Sequence, residues 1–321
     1  MPPHRGFGAV FGIGFESTWG TAVARTNWLR AESMGLARER SKVPVKHQGD
    51  YGQVSSMMRE FLVEHDFAGG PVRFPMAYND STVAIMRHLF GTNVTTGASA
   101  PYTHLQSLSS PPPTGLTIEQ ISGTSGGGGN MAEVFEGCLI NSAAIQVEAG
   151  GQMMCDMEVL AETSGGLVAP GTPSLNVTRE YIEHRHSGGL TIGGTAFPFK
   201  SIRFNLNRNL ERNHEMGSLF TSVPVEGGLD LEIEIQALWQ GSTGYNNYLA
   251  DTQGDLALTF TGTSNNRLVI AAHNCLVVGR SAPVSSKGGI TETLRLRPLA
   301  DASDQGLTFE FRNSNALHTT N

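Results

Sequence analysis

Glu180, Glu183, His184 and His186 crowd together and offer the carboxylate and imidazole groups a divalent metal takes. A structural zinc site wants four ligands, with a second set elsewhere in the chain. None of Cys138, Cys155 and Cys275 stands near these four, so a polar linker with incidental histidines accounts for them better. Gly123-Thr124-Ser125-Gly126-Gly127 satisfies the pattern of a nucleophilic serine. Such a serine must be held on a strand, a sharp turn and a helix, whereas here glycines continue to Gly129 and no ordered His and Asp partners are recognisable. The run Gly6 to Gly14 imitates a dinucleotide fingerprint, but its third glycine is misplaced and no strand precedes it. Asp230, Glu232 and Glu234 alternate along one segment and so share one face. They line a surface and do not flank a cleft as an acid–base pair would. No catalytic constellation survives, and no cofactor or metal is expected.

The elements that carry these residues are mostly strands. Arg203–Asn207, Leu229–Leu238, Thr291–Arg297 and Leu307–Arg312 all alternate polar and apolar residues, the period of a half-buried strand. One helical pattern stands out, Ser81–Phe90, with Asp80 or Ser81 as its cap and Gly91 as its stop. Of 321 residues 39 are Gly and 15 Pro, and only 16% are charged, below the ~25% of an average globular domain. Low charge with many turns points to surfaces covered by partners. Lys and Arg number 22 against 29 Asp and Glu, so the chain can surround nucleic acid but is a poor candidate for gripping it. No apolar run long enough to span a membrane occurs. The opening stretch lacks the continuous apolar core of a signal peptide, and three widely spaced cysteines suggest reduced thiols.

The chain also repeats itself. Glu136-Gly137-Cys138-Leu139-Ile140, then Gly150-Gly151, then Met157–Glu162 recurs as His273-Asn274-Cys275-Leu276-Val277, then Gly288-Gly289, then Leu294–Asp301. The offset is 275 − 138 = 137 at the cysteine and 288 − 150 = 138 at the glycines. Each copy reads as a strand, a tight turn and a returning strand. Upstream, Glu39-Arg40 aligns with Glu211-Arg212, an offset of 211 − 39 = 172, and the helix aligns with Tyr245–Ala250. The larger offset implies an insertion in the first copy. Residues 91–130 fit it, with Glu119 as their one charge, Pro111-Pro112-Pro113 and four consecutive glycines, and are expected as a long flexible loop. The expected organisation is an arm at 1–27, a first β domain at 28–163, a Gly/Pro/Ser-rich linker at 164–195 and a second β domain at 196–321. Phe7, Phe11, Phe15 and Trp19 of the arm, and Pro111, Pro112 and Pro113 of the loop, are expected to contact neighbouring subunits, with arm and loop mobile until they do.

These features together resemble the tail tube (major tail) proteins of long-tailed, non-contractile bacteriophages. The residues that carry the resemblance are Gly137-Cys138-Leu139-Ile140 and Asn274-Cys275-Leu276-Val277, Leu190–Gly194 leading into an alternating strand, the closing strand Leu307–Asn313, and the opening Phe11–Thr21. The resemblance implies a mainly β fold of two tandem β-sandwich or half-barrel domains, each flanked by a short helix. It implies a structural virion protein and not an enzyme. Because the chain carries two copies of a domain that is usually single, it implies rings of three chains with pseudo-sixfold symmetry, stacked head to tail into a tube. DNA would pass through the channel without specific binding. Tape-measure, terminator and baseplate proteins would be neighbours, in a virion tail assembled in the host cytoplasm. The competing readings are another tail ring component, a terminator or baseplate protein, and a secreted β-sandwich adhesin or carbohydrate-binding module. The last would need a signal peptide and exposed aromatics, and the chain has three Trp.

Overall fold

The computed structural model describes residues 10–44, 61–109, 114–122, 131–175, 180–239, 253–283, 290–300 and 306–313. The first half begins with β1 (Val10–Phe15), β2 (Asn27–Arg30), β3 (Ser33–Met34), β4 (Ala37–Pro44) and β5 (Phe61–Pro75). The helix α1 (Asp80–Phe90) follows, then β6 (Val94–Thr96), β7 (Tyr102–Ser107), β8 (Leu116–Ser122), β9 (Met131–Glu148), β10 (Met154–Ala161) and β11 (Thr163–Val168). After a single 3-10 turn at His184–His186 come β12 (Ser187–Ile192), β13 (Thr195–Phe197), β14 (Ser201–Asn207), β15 (Leu210–His214) and β16 (Thr221–Glu226). The chain closes with β17 (Asp230–Leu238), β18 (Gly254–Thr261), β19 (Arg267–Ser281), β20 (Thr291–Arg297) and β21 (Leu307–Asn313). The expected mainly β fold is what forms.

Two of the strands do double duty. The first part of β9 lies between β8 and β11, and its second part lies between β10 and β14. Likewise β19 lies first between β18 and β21 and then beside β20. Each long strand therefore leaves one sheet and enters another. The bend falls at Gly137 (φ 60) and Asn274 (φ 49), both left-handed, each next to a register shift in the ladder with β8 or β18 and four residues before a second shift in the ladder with β10 or β20. A bulge of this kind bends a strand and tightens its twist. The β10–β9 ladder passes from Glu158↔Ser142 to Val159↔Ile140 and skips Asn141, while the β20–β19 ladder passes from Arg295↔Gly279 to Leu296↔Val277 and skips Val278. The offset of 137 thus holds residue for residue through the bulge, since 278 − 141 = 137.

The two halves repeat the same pairings throughout. β2–β1–β8–β9–β11 in the first half has its counterpart in β13–β12–β18–β19–β21. The order β9–β10–β5 with β3 and β4 has its counterpart in β19–β20–β17–β14. Upstream, the matched rungs are Arg38↔Ala68 and Leu206↔Leu231, so Arg40 corresponds to Arg208 at an offset of 206 − 38 = 168. The alignment of Glu39-Arg40 with Glu211-Arg212 is therefore four residues out of phase. That dipeptide match came from composition, and the ladders overrule it.

Three expectations about connecting segments need correction. Val10–Phe15, placed in a mobile arm, is a strand held between β2 and β8. Residues 91–130, expected as a loop, supply β6, β7 and β8. β8 is an integral strand of the first half, and β7 adds onto β21 of the second half from Tyr102↔Asn313 to Ser107↔Thr308. The expected linker, 164–195, carries most of β11 and all of β12. Of the two expected helices, α1 is present, capped one residue earlier than expected by Asn79, whose side chain accepts from the Thr82 amide at 2.9 Å. Gly91 closes it in the left-handed region (φ 90). The counterpart at Tyr245–Ala250 lies outside the described residues.

One core serves both halves. Phe309 on β21 meets Phe90 of α1 at 4.8 Å and Phe204 on β14 at 5.9 Å between ring centres. Phe11 meets Phe74 at 5.7 Å, and all five rings belong to a single buried cluster. The three cysteines are free and buried. Burial pushes their thiols up, Cys275 to about 12, so they stay protonated.

The bend residues make a paired test. A Cβ at Gly137 would stand 2.8 Å from Cβ of Glu162 as well as in a strained φ, so Gly137→Ala should cost about 2 kcal/mol in urea unfolding. Asn274→Gly, at the same bend in the other half, should change stability by less than about 0.5 kcal/mol, because Asn and Gly both enter this region.

A candidate channel face and its two open edges

The sheet that runs through both halves has eight strand positions, β3/β4–β5–β10–β9–β14–β17–β20–β19, with β3 and β4 sharing the first. The join between halves is the ladder from Ser142↔Asn207 to Glu148↔Ser201. Alternation along each strand separates two faces. The buried face is apolar, as in Ile145, Val147, Ile202, Phe204, Ile233 and Ile235. The other face is small and polar, and carries Ser142, Ala144, Arg203, Asn205, Glu232 and Glu234 at the intervening positions. A shallow concavity of about 610 Å³ on this face is lined by Arg73, Ser142, Asp156, Glu158, Arg203 and Asn205, among others.

Charge on the polar face is unbalanced towards acid. Glu39, Glu148, Asp156, Glu158, Asp230, Glu232 and Glu234 stand against Arg73, Arg203, Arg295 and Arg297. Several are tied together, Arg73 to Asp156 at 3.4 Å and to Glu32 at 2.8 Å, Arg295 to Glu232 at 3.9 Å. Partial burial holds the Glu158 carboxyl above its ordinary range, against the pull of Arg212. The alternation of Asp230, Glu232 and Glu234 on one face was legible from sequence, and the structure sets them there between buried Leu231, Ile233 and Ile235.

Arg208 locks the join. Its side chain is 1% exposed, and its guanidinium donates to the Leu89 carbonyl at the end of α1, from Nη2 at 2.6 Å and Nε at 3.1 Å. Nη1 meets Glu226 at 2.8 Å. A cation at a helix C-terminus satisfies orphan carbonyls and complements the dipole. The Arg208 amide donates to the Asn141 carbonyl at 2.8 Å, and the Leu210 amide to the Asn141 side chain at 2.8 Å. The sequence reading missed Arg208. Only the correct repeat phase, which pairs it with Arg40, would have marked it. His88, also on α1, is pushed down to about 3 by burial, with Arg208 adding to the effect, and so is neutral.

The residues expected at subunit contacts scatter. Phe11 is fully buried in this chain's own core, so it is not available to a neighbour. Phe15 is half-buried with the Arg87 guanidinium 5.2 Å above its ring, and Trp19 is half-buried in a turn beside Gly137. Phe7, Pro111, Pro112 and Pro113 lie outside the described residues, as does Gly123–Gly127. The Glu180 carboxylate is taken by the Thr263 amide and by Asn266 at 2.7 Å, and Glu183 pairs with Arg185 at 2.6 Å. Among the described residues no three His, Cys, Asp or Glu side chains converge as metal ligands, and no helix is long and apolar enough to cross a membrane.

An antiparallel framework whose continuous sheet has one apolar and one polar face, with like strand pairings in its two halves, is the architecture of a sheet-building protein. Comparison with protein families gives the same answer: the family model for phage tail tube proteins matches residues 6–312, and the chain belongs to that family. It is a structural component of the virion tail and not an enzyme. No curated protein matches it significantly.

The repeat supplies its own control for the locking arginine. Arg208→Met should cost about 3 kcal/mol in urea unfolding, because it strands Glu226 and the end of α1. Its counterpart Arg40 is half exposed on Asp66, so Arg40→Met should cost under about 1 kcal/mol in the isolated chain.

Proposed function

We propose that three copies of this chain close into a ring and that rings stack into the tail tube, with the polar sheet face lining the channel. The carrying observation is the eight-position sheet, whose two end strands have no further partner among the described residues, and its internal join supports the way one half would seat against the next. Three such sheets give 3 × 8 = 24 strands. At about 4.8 Å between strands and ~40° tilt, the backbone diameter is roughly 48 Å. Side chains reduce this to a bore of roughly 35 Å, wider than a DNA duplex. A polar face with excess carboxylate repels phosphate, so DNA slides and does not stick.

Stacking has a support of its own. The β15–β16 hairpin carries exposed Met216, Leu219, Val223 and Val225, an apolar tip that a single free ring would leave in water. This favours a filament over a lone terminator or baseplate ring. Phe7, Trp19 and Pro111–Pro113 are proposed contacts between stacked rings, and tape-measure, terminator and baseplate proteins are the proposed neighbours in the tail. Each half is proposed as one tube-domain repeat, although the two share a core.

Light scattering and negative-stain microscopy of the purified chain test the reading. A mass near three times 34.3 kDa, with hollow rings or tubes, is expected. A monomer at every concentration and salt would refute it. The channel assignment has a separate test. Glu232→Lys with Glu234→Lys should leave tubes intact but make them retain duplex DNA at low salt, with retention falling steeply as salt rises. Unchanged DNA behaviour would remove this face from the bore.

A further inference from the structure

The second part of β9 is paired on both sides, by β10 and by β14. Its counterpart in β19, Leu276–Ser281, is paired by β20 alone among the described residues. At the far end of the sheet, β3 and the start of β4 (Ala37–Arg40), the counterparts of the start of the β14–β15 segment, are paired by β5 alone among the described residues. One chain thus holds one filled seat, one empty seat, and one strand of the shape that fills it.

Resting on the ring reading above, we propose that the β19 edge of one copy takes β4 of a second copy in the register of the internal ladder. Ser142↔Asn207, Ala143↔Leu206 and Ala144↔Asn205 carry over as Gly279↔Glu39, Arg280↔Arg38 and Ser281↔Ala37. The Arg40 amide then donates to the Val278 carbonyl, as the Arg208 amide donates to that of Asn141. Val278 is 47% exposed in the single chain, which fits a position whose cover comes from outside.

The chemistry of the two joins differs where it should. The internal join places Ala143 against Leu206 on the apolar face, and both are buried. The corresponding residues at the open edges are Arg280 and Arg38. Arg280 is paired with Glu292, and Arg38 grips Asp66 through Nε at 2.7 Å and Nη2 at 2.6 Å. The Arg38 guanidinium, with Arg40, holds the Asp66 carboxyl below its usual range. Charges turned inward at a sheet edge obstruct stray strand addition while the subunit is free. When the edges meet, two arginines and two carboxylates form one alternating set, and closure carries a salt dependence that the internal join lacks.

Cysteine cross-linking of the full chain reads the register. Ser281→Cys with Ala37→Cys, under mild oxidation, should give a ladder on a non-reducing gel that stops at three chains. Both positions are exposed, and the three native thiols are buried. Gly279→Cys with Glu39→Cys tests the same register if the first pair fails to fold. Ser281→Cys with Gly35→Cys, slipped by two residues, should cross-link at least tenfold less. If light scattering shows three-chain rings but the slipped pair links and the matched pairs do not, the register is wrong and the ring stands. Should no oligomer form, both fall.

Discussion

The ladder between β9 and β14 is the interaction on which the rest depends. Without it the described residues would join the two halves by a strand ladder only where β7 adds onto β21, and each half would carry unpaired amides and carbonyls along an edge, a configuration that invites aggregation. The ladder is backbone chemistry, but side chains on one face seal it: Ala143, Ile145 and Val147 against Leu206, Phe204 and Ile202. Arg208 then fastens the same join to the end of α1, so that the helix, the hairpin and the ladder cannot move independently.

The division of labour between faces follows from strand geometry alone. Because side chains alternate, a strand that commits every second residue to the core leaves the others facing outward in register with their neighbours. Eight strand positions in series therefore present a continuous surface of small, polar and acidic groups, with no helix or loop needed to build it. The bends at Gly137 and Asn274 let the same strands leave that surface and enter the outer sheets, so inner and outer layers are parts of single strands.

Much of this was legible in the residues. The alternation at β14 and β17 is plain because their buried positions are all apolar, and at β20 and β21 because most are, with Leu294 and Leu296, and Leu307, Phe309 and Phe311, carrying the period. The Cys-Leu repeat found the right phase because the bulge next to it fixes spacing. What misled was burial of polar side chains. β7 buries His104 and Gln106, and β8 buries Thr117 and Glu119, each held by a polar partner that the fold brings to it: His104 on Thr95 at 2.9 Å, the Gln106 amide on the Val83 carbonyl at 2.8 Å, Thr117 on Glu16 at 2.9 Å, Glu119 on Arg25. In β7 the buried positions are polar, so it has no hydrophobic period and reads as a loop, whereas β8 is buried on both faces, Leu116 and Ile118 alternating with Thr117 and Glu119, and its buried polar side chains disguise it. Gly12 in β1 misled differently. It is small because the Trp28 ring lies where its Cβ would be, at 2.8 Å, a tertiary fact that no local pattern announces.

Carrying two sheet units on one chain also changes the kinetics of building. Six identical single units need five encounters, each second-order in protein, before the last join closes the ring within one assembly. Here one join of every two is made as the chain folds, at the effective concentration that a short tether imposes, in the millimolar range. In the ring proposed above, two such encounters would precede closure, and its yield would fall less steeply as the pool of free subunits is drawn down. The covalent link between β11 and β12 therefore acts as a concentration device.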